Sequence, residues 1–151
     1  MISILTLFLI LASGTCFFIS LAVPHVALVF CGGIFVLYCS IAFHELGHLI
    51  ACLFKKRKVA ALYLYPIKIE QNRIKLTKTF KFCVLFYKGE KEGLIHLFGP
   101  IFTLIQLLCA IILSICIPNT HTTVFLAASI VMLFGCGKDL FRTFHKHSQK
   151  D

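Results

Sequence analysis

The chain has 151 residues, 59% of them hydrophobic, with a mean hydropathy of +0.93 and a net charge of +9. Apolar residues gathered into long runs exclude an ordinary soluble domain, which the length alone would allow. The charge does not point to nucleic acid: all 15 Lys and Arg fall in two places, 11 from Lys55 to Lys91 and four from Lys138 to Lys150, with no nucleic-acid recognition motif beside them.

A helix of about 20 apolar residues spans the ~30 Å hydrocarbon core of a bilayer. Four stretches are long enough: 2–23, 26–54, 94–117 and 122–141. The first has no basic residue ahead of its apolar part, and Leu21-Ala22-Val23 before Pro24 is a poor cleavage site, so a retained span is expected rather than a signal peptide. Its small residues Ala12-Ser13-Gly14-Thr15 suit close packing by another helix. The second begins after Pro24-His25 and stops at Lys55-Lys56-Arg57-Lys58; its length demands tilt or projection from the bilayer.

From 59 to 87 the pattern becomes a near-alternation. Leu62, Leu64, Ile67 and Ile69 precede the polar Gln71-Asn72-Arg73; Ile74, Leu76, Phe80 and Phe82 follow, with Lys75, Lys78 and Lys81 interleaved. This predicts a β-hairpin, with Pro66 marking a bulge or an unpaired edge, and a polar loop over Lys88 to Gly93. In the third span, Pro100 is easiest to accommodate in a first helical turn. A regular helix is therefore expected from about Gly99, with 94–98 as an interfacial or re-entrant entry. Gly135 and Gly137 are expected to loosen the end of the fourth span.

With four spans, both basic segments lie on one face, and the positive-inside rule makes that face cytoplasmic. Both termini are then cytoplasmic, and the plasma membrane is the expected location. The fold class is an all-α polytopic membrane protein: four transmembrane helices, a small cytoplasmic β-hairpin between spans two and three, and one domain over 1–151. Eight cysteines, seven of them within the spans and none forming Cys-x-x-Cys, read as small packing residues rather than as disulfides or zinc knuckles.

The second span contains His44-Glu45-Leu46-Gly47-His48. On a helix His44 and His48 project from nearly one face, so both imidazoles reach one Zn²⁺ while Glu45 lies beside it, able to take a proton from a water there. A chance match arises in roughly 1% of chains of this composition. Two histidines and a glutamate inside an apolar span also cost several kcal/mol unless they are partnered, so structural histidines are the weaker explanation. A third protein ligand is required. Phe54 stands where a third histidine of the extended pattern would be, and after Glu92 the acids are Asp139 and the terminal Asp151. Asp139 is the better placed, at the cytoplasmic end of the fourth span, and His96 is the reserve.

These features resemble the site-2 protease family of intramembrane metalloproteases. The resemblance covers roughly 26–141 and rests on the pentapeptide within a span, Gly99-Pro100 in the next and the lone Asp139 closing the last. It implies that His44, His48 and Asp139 bind zinc, that Glu45 is the catalytic acid/base, and that a membrane-associated β-hairpin follows the zinc-binding helix. The chain departs from the family's usual pattern in having Gly99-Pro100-Ile101-Phe102-Thr103 where Asn often follows shortly after the Gly-Pro, and Lys138-Asp139-Leu140 in place of Leu-Asp-Gly or Pro-Asp-Gly. The implied reaction is hydrolysis of a peptide bond in or near a transmembrane segment of a membrane-anchored substrate. There is no room for a separate sensor domain, so selection falls to the spans, the hairpin or a regulatory membrane partner. Two alternatives are an inactive relative serving as scaffold or accessory protein, and a CAAX-type membrane protease. The latter takes a glutamate as third ligand, and none follows Glu92.

Overall fold

The computed structural model describes residues 2–23, 25–70, 73–86, 92–137 and 139–141. Four helices dominate it: α1 (Ile2–Ala22), α2 (Val26–Phe54), α3 (Glu92–Cys116) and α4 (Thr120–Gly135). All four are long and apolar enough to cross a membrane, α4 when its continuation to Phe141 is included. Their outward faces carry Phe8, Phe18, Phe30, Ile112 and Phe134, all exposed. Such wide apolar exposure is foreign to a soluble monomer.

The helices meet where small residues permit. An added Cβ at Gly32 of α2 would lie 2.8 Å from the Phe17 Cα of α1, so the two backbones touch there. The expected small-residue patch of α1 also packs on α2. The Ser13 hydroxyl donates to the Cys31 carbonyl at 2.6 Å and accepts from the Phe35 N–H at 3.0 Å. Midway along the bundle, Gln106 of α3 donates to the hydroxyls of Ser40 in α2 (2.7 Å) and Ser129 in α4 (3.0 Å). One amide thus ties three helices together.

Between α2 and α3 the chain forms a four-stranded antiparallel sheet rather than the expected single hairpin. The strands are β1 (Val59–Leu64), β2 (Ile67–Glu70), β3 (Arg73–Leu76) and β4 (Phe82–Phe86), in the order β3-β2-β1-β4. β2 and β3, the strands on either side of Gln71-Asn72, do pair antiparallel as expected; 71 and 72 lie outside the described residues. What the alternation concealed is the break at Tyr65-Pro66. There the first arm folds back on itself, pairing Leu64 with Ile67, so Pro66 occupies a turn and not a bulge or edge. A proline cannot donate to a ladder, and a turn removes that requirement. Segment 77–81 then carries β4 back beside β1, with Leu64 opposite Phe82.

Register sorts the side chains. Directly opposed residues share a face, which puts Leu62, Leu64, Ile67, Ile69, Ile74, Leu76, Phe82 and Val84 on one side. Tyr63, Lys68, Glu70, Arg73 and Lys75 fall on the other. The β1–β4 half lays its apolar face on the helices: Val84 and Leu62 pack with Ala51, Cys52 and Ile95. The β2–β3 half overhangs, leaving Ile74 74% exposed, with Phe80 beyond it at 76%. On the polar face Lys68 lies 2.9 Å from Glu70, which holds the Glu70 carboxyl below its ordinary range.

α3 also differs from expectation. It runs unbroken through Gly99-Pro100 from Glu92, so 94–98 is regular helix and not a re-entrant entry. Pro100 cannot bond the carbonyl four residues back, yet the helix continues because packing against α2 holds both sides of the defect. The loop expected from Lys88 falls, over 88–91, outside the described residues. α4 begins two residues before the expected span. Asn119 caps it, accepting from the Thr122 N–H at 2.9 Å while the Thr122 hydroxyl accepts from the Asn119 N–H at 3.2 Å.

Candidate metal centre

His44, Glu45 and His48 lie on α2, all buried, at 4%, 6% and 7% exposure. One helical turn separates the two imidazoles, and their Nε2 atoms stand 3.2 Å apart. Asp139 arrives from another element. α4 is interrupted at Cys136, immediately after Gly135, and the chain is helical again at Gly137 and at 139–141. Neither glycine would meet a neighbour with an added Cβ, so space does not select them. Beyond the interruption the Asp139 N–H bonds the Cys136 carbonyl at 3.0 Å, and Asp139 Oδ2 sits 3.2 Å from His44 Nε2 and 3.6 Å from His48 Nε2.

The protons can be placed by chemistry. His48 Nδ1 is 2.7 Å from the Ile95 carbonyl, which only accepts, so this nitrogen carries the hydrogen. His44 Nδ1 is 2.9 Å from the Thr103 hydroxyl. That hydroxyl donates to the Gly99 carbonyl at 3.3 Å and therefore accepts from His44. With both rings neutral, each turns an Nε2 lone pair inward, toward the other ring and toward a carboxylate oxygen. Three lone pairs at 3.2–3.6 Å repel unless a positive charge lies among them. Two donors held about 2.0–2.1 Å from one ion at the tetrahedral angle stand about 3.3–3.4 Å apart, and the three observed separations bracket that value. The donor set and its outer hydrogen bonds therefore fit a metal ion.

Two glycines make this approach possible. At Gly47 an added Cβ would lie 2.6 Å from the Phe98 carbonyl oxygen, so α2 and α3 are in backbone contact there. At Gly99 it would fall on His48 Nε2 and 2.7 Å from His44 Cε1. The Cε1 edges of both rings lie directly on the α3 backbone, where only hydrogen fits.

Glu45 completes the group. Its ligand atom lies within 4.8 Å of those of the two histidines, and the three form a set able to hold a metal ion. Its Oε2 is buried without a hydrogen-bond partner, while the Val84 backbone of β4 bonds to the carboxylate. A cavity of about 420 Å³ opens in front of these side chains, bounded by β4 (Phe82, Cys83, Val84) on one side and by Met132 and Gly135 of α4 on another. Lys81 and His96 also line it.

All four residues singled out in the sequence are thus brought together. His96, the reserve ligand, stays further off: its ring centroid is 6.2 Å from that of His48, against 4.8 Å for His44, while Asp139 Oδ2 lies 3.6 Å from His48 Nε2. Sequence reading missed the supports. Thr103, 1% exposed, registered only as a departure from a family pattern, and Cys136 only as a packing residue, yet its Sγ lies 3.4 Å from the Thr103 hydroxyl and 3.5 Å from His44 Nδ1. A buried polar side chain in an apolar run was the available signal for Thr103. No signal marked the Ile95 carbonyl. Neither a protein-family model, nor a curated protein, nor a solved structure matches this chain.

Proposed function

We propose that this chain is an intramembrane zinc metalloprotease resembling the site-2 protease family, cutting a peptide bond in or near a transmembrane segment of a membrane-anchored substrate. One observation carries the reading. Three ligand atoms converge at 3.2–3.6 Å beside a buried glutamate oxygen that has no partner.

His44, His48 and Asp139 would hold the ion, two imidazoles and a carboxylate being a donor set that zinc favours with one position left open. When bound, zinc supplies Lewis acidity to a water and to the peptide carbonyl. Glu45 takes one proton from the water as the water oxygen bonds to the carbonyl carbon. It returns that proton to the nitrogen as the C–N bond breaks, leaving a carboxyl and an amino terminus. Thr103 and Ile95 hold the imidazoles in the tautomer that keeps each Nε2 available.

A helical substrate has its carbonyls already hydrogen-bonded, so it must unwind before cleavage. β4 is an edge strand whose one neighbour is β1, and it borders the cavity. An extended segment added to that edge would run past Glu45. The apolar exterior of the helices suits acyl chains, and the overhanging β2–β3 ribbon, with Ile74 and Leu76 on one face and Arg73 and Lys75 on the other, suits the headgroup boundary. Both termini lie in the cytoplasm by the charge rule applied to the segments from Lys55 and from Lys138, and the plasma membrane is the proposed location.

Glu45→Gln tests the reading. The variant should keep about one zinc per chain while cleavage of a reconstituted single-span substrate falls roughly 10²–10⁴-fold. Cleavage at the wild-type rate sinks the protease assignment. Wild-type protein that binds zinc and cleaves nothing leaves the scaffold alternative in its place.

A further inference from the structure

A general base must present one carboxylate oxygen to the water it deprotonates, and a misplacement of about 1 Å can cost 10²-fold in rate. A helix fixes only the root of a glutamate; the rest of the side chain is among the most freely rotating of all. Glu45 finds no donor in its neighbours on α2. The Nδ1 hydrogens of His44 and His48 are spent on Thr103 and the Ile95 carbonyl, and their Nε2 atoms turn lone pairs toward each other. Lys81, the cation in the cavity lining, is exposed and holds its ammonium over the Tyr63 ring, 5.4 Å from the centroid. The restraint on Glu45 comes from the sheet instead.

Strand register shows how. The Tyr65 N–H bonds the Lys81 carbonyl at 3.2 Å, so 65 and 81 form a hydrogen-bonded pair at the entry to β4. Along an antiparallel ladder such pairs alternate with pairs that exchange no bond. Tyr63 lies opposite Cys83 and Leu62 opposite Val84, so Cys83 turns its backbone groups toward β1 and Val84 turns its own away. The shift in this ladder falls between Val59 and Ala61, past Val84. β4 is the edge of the sheet, so the Val84 N–H points out of it. What it meets there is the Glu45 carboxylate. Because Oε2 has no partner, the bond falls on Oε1: one oxygen is tied and the other is left for chemistry.

The donor is itself held in place. The Val84 side chain, 8% exposed, packs with Ala51 and Cys52 of α2 and with Ile95 of α3, the residue whose carbonyl fixes His48. Two residues earlier the Phe82 ring meets that of Tyr38 edge to face, and the Tyr38 hydroxyl donates to the Leu64 carbonyl at 3.1 Å. β4 is thus fastened to the same two helices that carry the histidines and their supports.

We propose that the backbone N–H of Val84 is a positioning group for the general base, tying one oxygen of Glu45 so that Oε2 is presented to the water. The inference rests on the protease reading above, and Val84 acts through Glu45. The same bond occupies an amide on the open edge of β4, so an extended substrate added there meets the carboxylate where it would otherwise find a donor.

The test uses the full-length, zinc-loaded protein in lipid vesicles. In one variant the α-hydroxy acid counterpart of valine replaces Val84, putting an ester oxygen where the N–H stands and keeping the side chain. Val84→Pro removes the same N–H, at an edge position that makes no ladder bond and so admits proline. Val84→Ala keeps the N–H and trims the packing. Zinc per chain is read together with kcat and KM for a quenched-fluorescent single-span peptide. The ester and Val84→Pro should retain zinc and lose roughly 10²-fold in kcat with little change in KM, and Val84→Ala should lose less than either. In a Glu45→Gln background the ester should cost nothing further, because the carboxylate it served is gone. Wild-type kcat in the ester variant, an equal loss in Val84→Ala, or an undiminished loss on top of Glu45→Gln would each overturn the assignment. If the ester variant does not fold, Val84→Pro carries the same outcomes, and loss of zinc from both would make the strand a support of the metal site rather than of the base. Failure of the protease reading looks different, because Glu45→Gln would then cleave as fast as wild type whatever stands at position 84.

Discussion

Gly99→Ala should abolish tight zinc binding without unfolding the protein. The new methyl would stand 2.7 Å from His44 Cε1 and closer still to His48 Nε2. Carbon atoms in contact settle at about 3.5–4.0 Å, so the rings must retreat by about 0.8 Å or more. Metal-ligand positions tolerate roughly 0.2 Å, a quarter of that displacement. The rings cannot follow freely, because their Nδ1 atoms are held by Thr103 and the Ile95 carbonyl. Affinity should therefore fall by at least the roughly 10–100-fold that accompanies loss of an outer-sphere partner. Folding should survive: alanine gains about 0.5–1 kcal/mol over glycine in a helix interior, against about 1–3 kcal/mol for overpacking. The assay is competition between the detergent-solubilised protein and a chromophoric zinc chelator, with Gly135→Ala as control, since nothing lies within 4 Å of an added Cβ there. Wild-type affinity in Gly99→Ala would refute the geometry of the site.

Asp139→Ala should lose zinc and activity together, since a carboxylate 3.2 Å from His44 Nε2 is removed; full zinc retention, read by elemental analysis, would return the third position to another residue. Gln106→Leu should cost only about 1 kcal/mol in a membrane unfolding titration, because Ser40 and Ser129 keep their bonds to the Val36 and Phe125 carbonyls. A loss several times larger would mean that the amide does more than bridge three helices. Reporter tags after Lys58 and at Asp151 should read cytoplasmic and one at Asn119 the opposite side. A cytoplasmic reading at Asn119 would overturn both the four-span arrangement and the orientation of the site.

The second helix was legible to the residue. Its apolar run is bounded by Pro24-His25 and by four successive cations, and both boundaries are local chemistry: α2 is Val26–Phe54. The pentapeptide was legible for a similar reason, since a four-residue spacing on a helix fixes which side chains share a face. The sheet was read only in part. Alternation tells which residues share a face, and every residue of the expected apolar set from Leu62 to Leu76 does so, but it does not say which strands pair. The turn at Tyr65-Pro66 keeps the period of two on each side but shifts its phase between Leu64 and Ile67, and such a shift beside a proline reads equally as a bulge within one strand.

Local sequence thus determined the number of long apolar helices and the placing of His44, Glu45 and His48 together on the second of them. Tertiary structure decided the rest. Proline at 100 looked like a helix start because intrinsic preference is all that a sequence displays; packing of α3 on α2 outweighed it and drew the helix back to Glu92. The third donor, 91 residues after His48, is brought to it by the interruption of α4 at Cys136, which no periodicity encodes. Gly99 and Gly47 are ordinary glycines until α2 and α3 press together, and only then does the absence of a side chain become the condition for two imidazoles to turn their Nε2 atoms to one point. Contacts between residues far apart in the chain have no local signature, because the free energy that fixes them comes from surfaces that exist only after the helices have met.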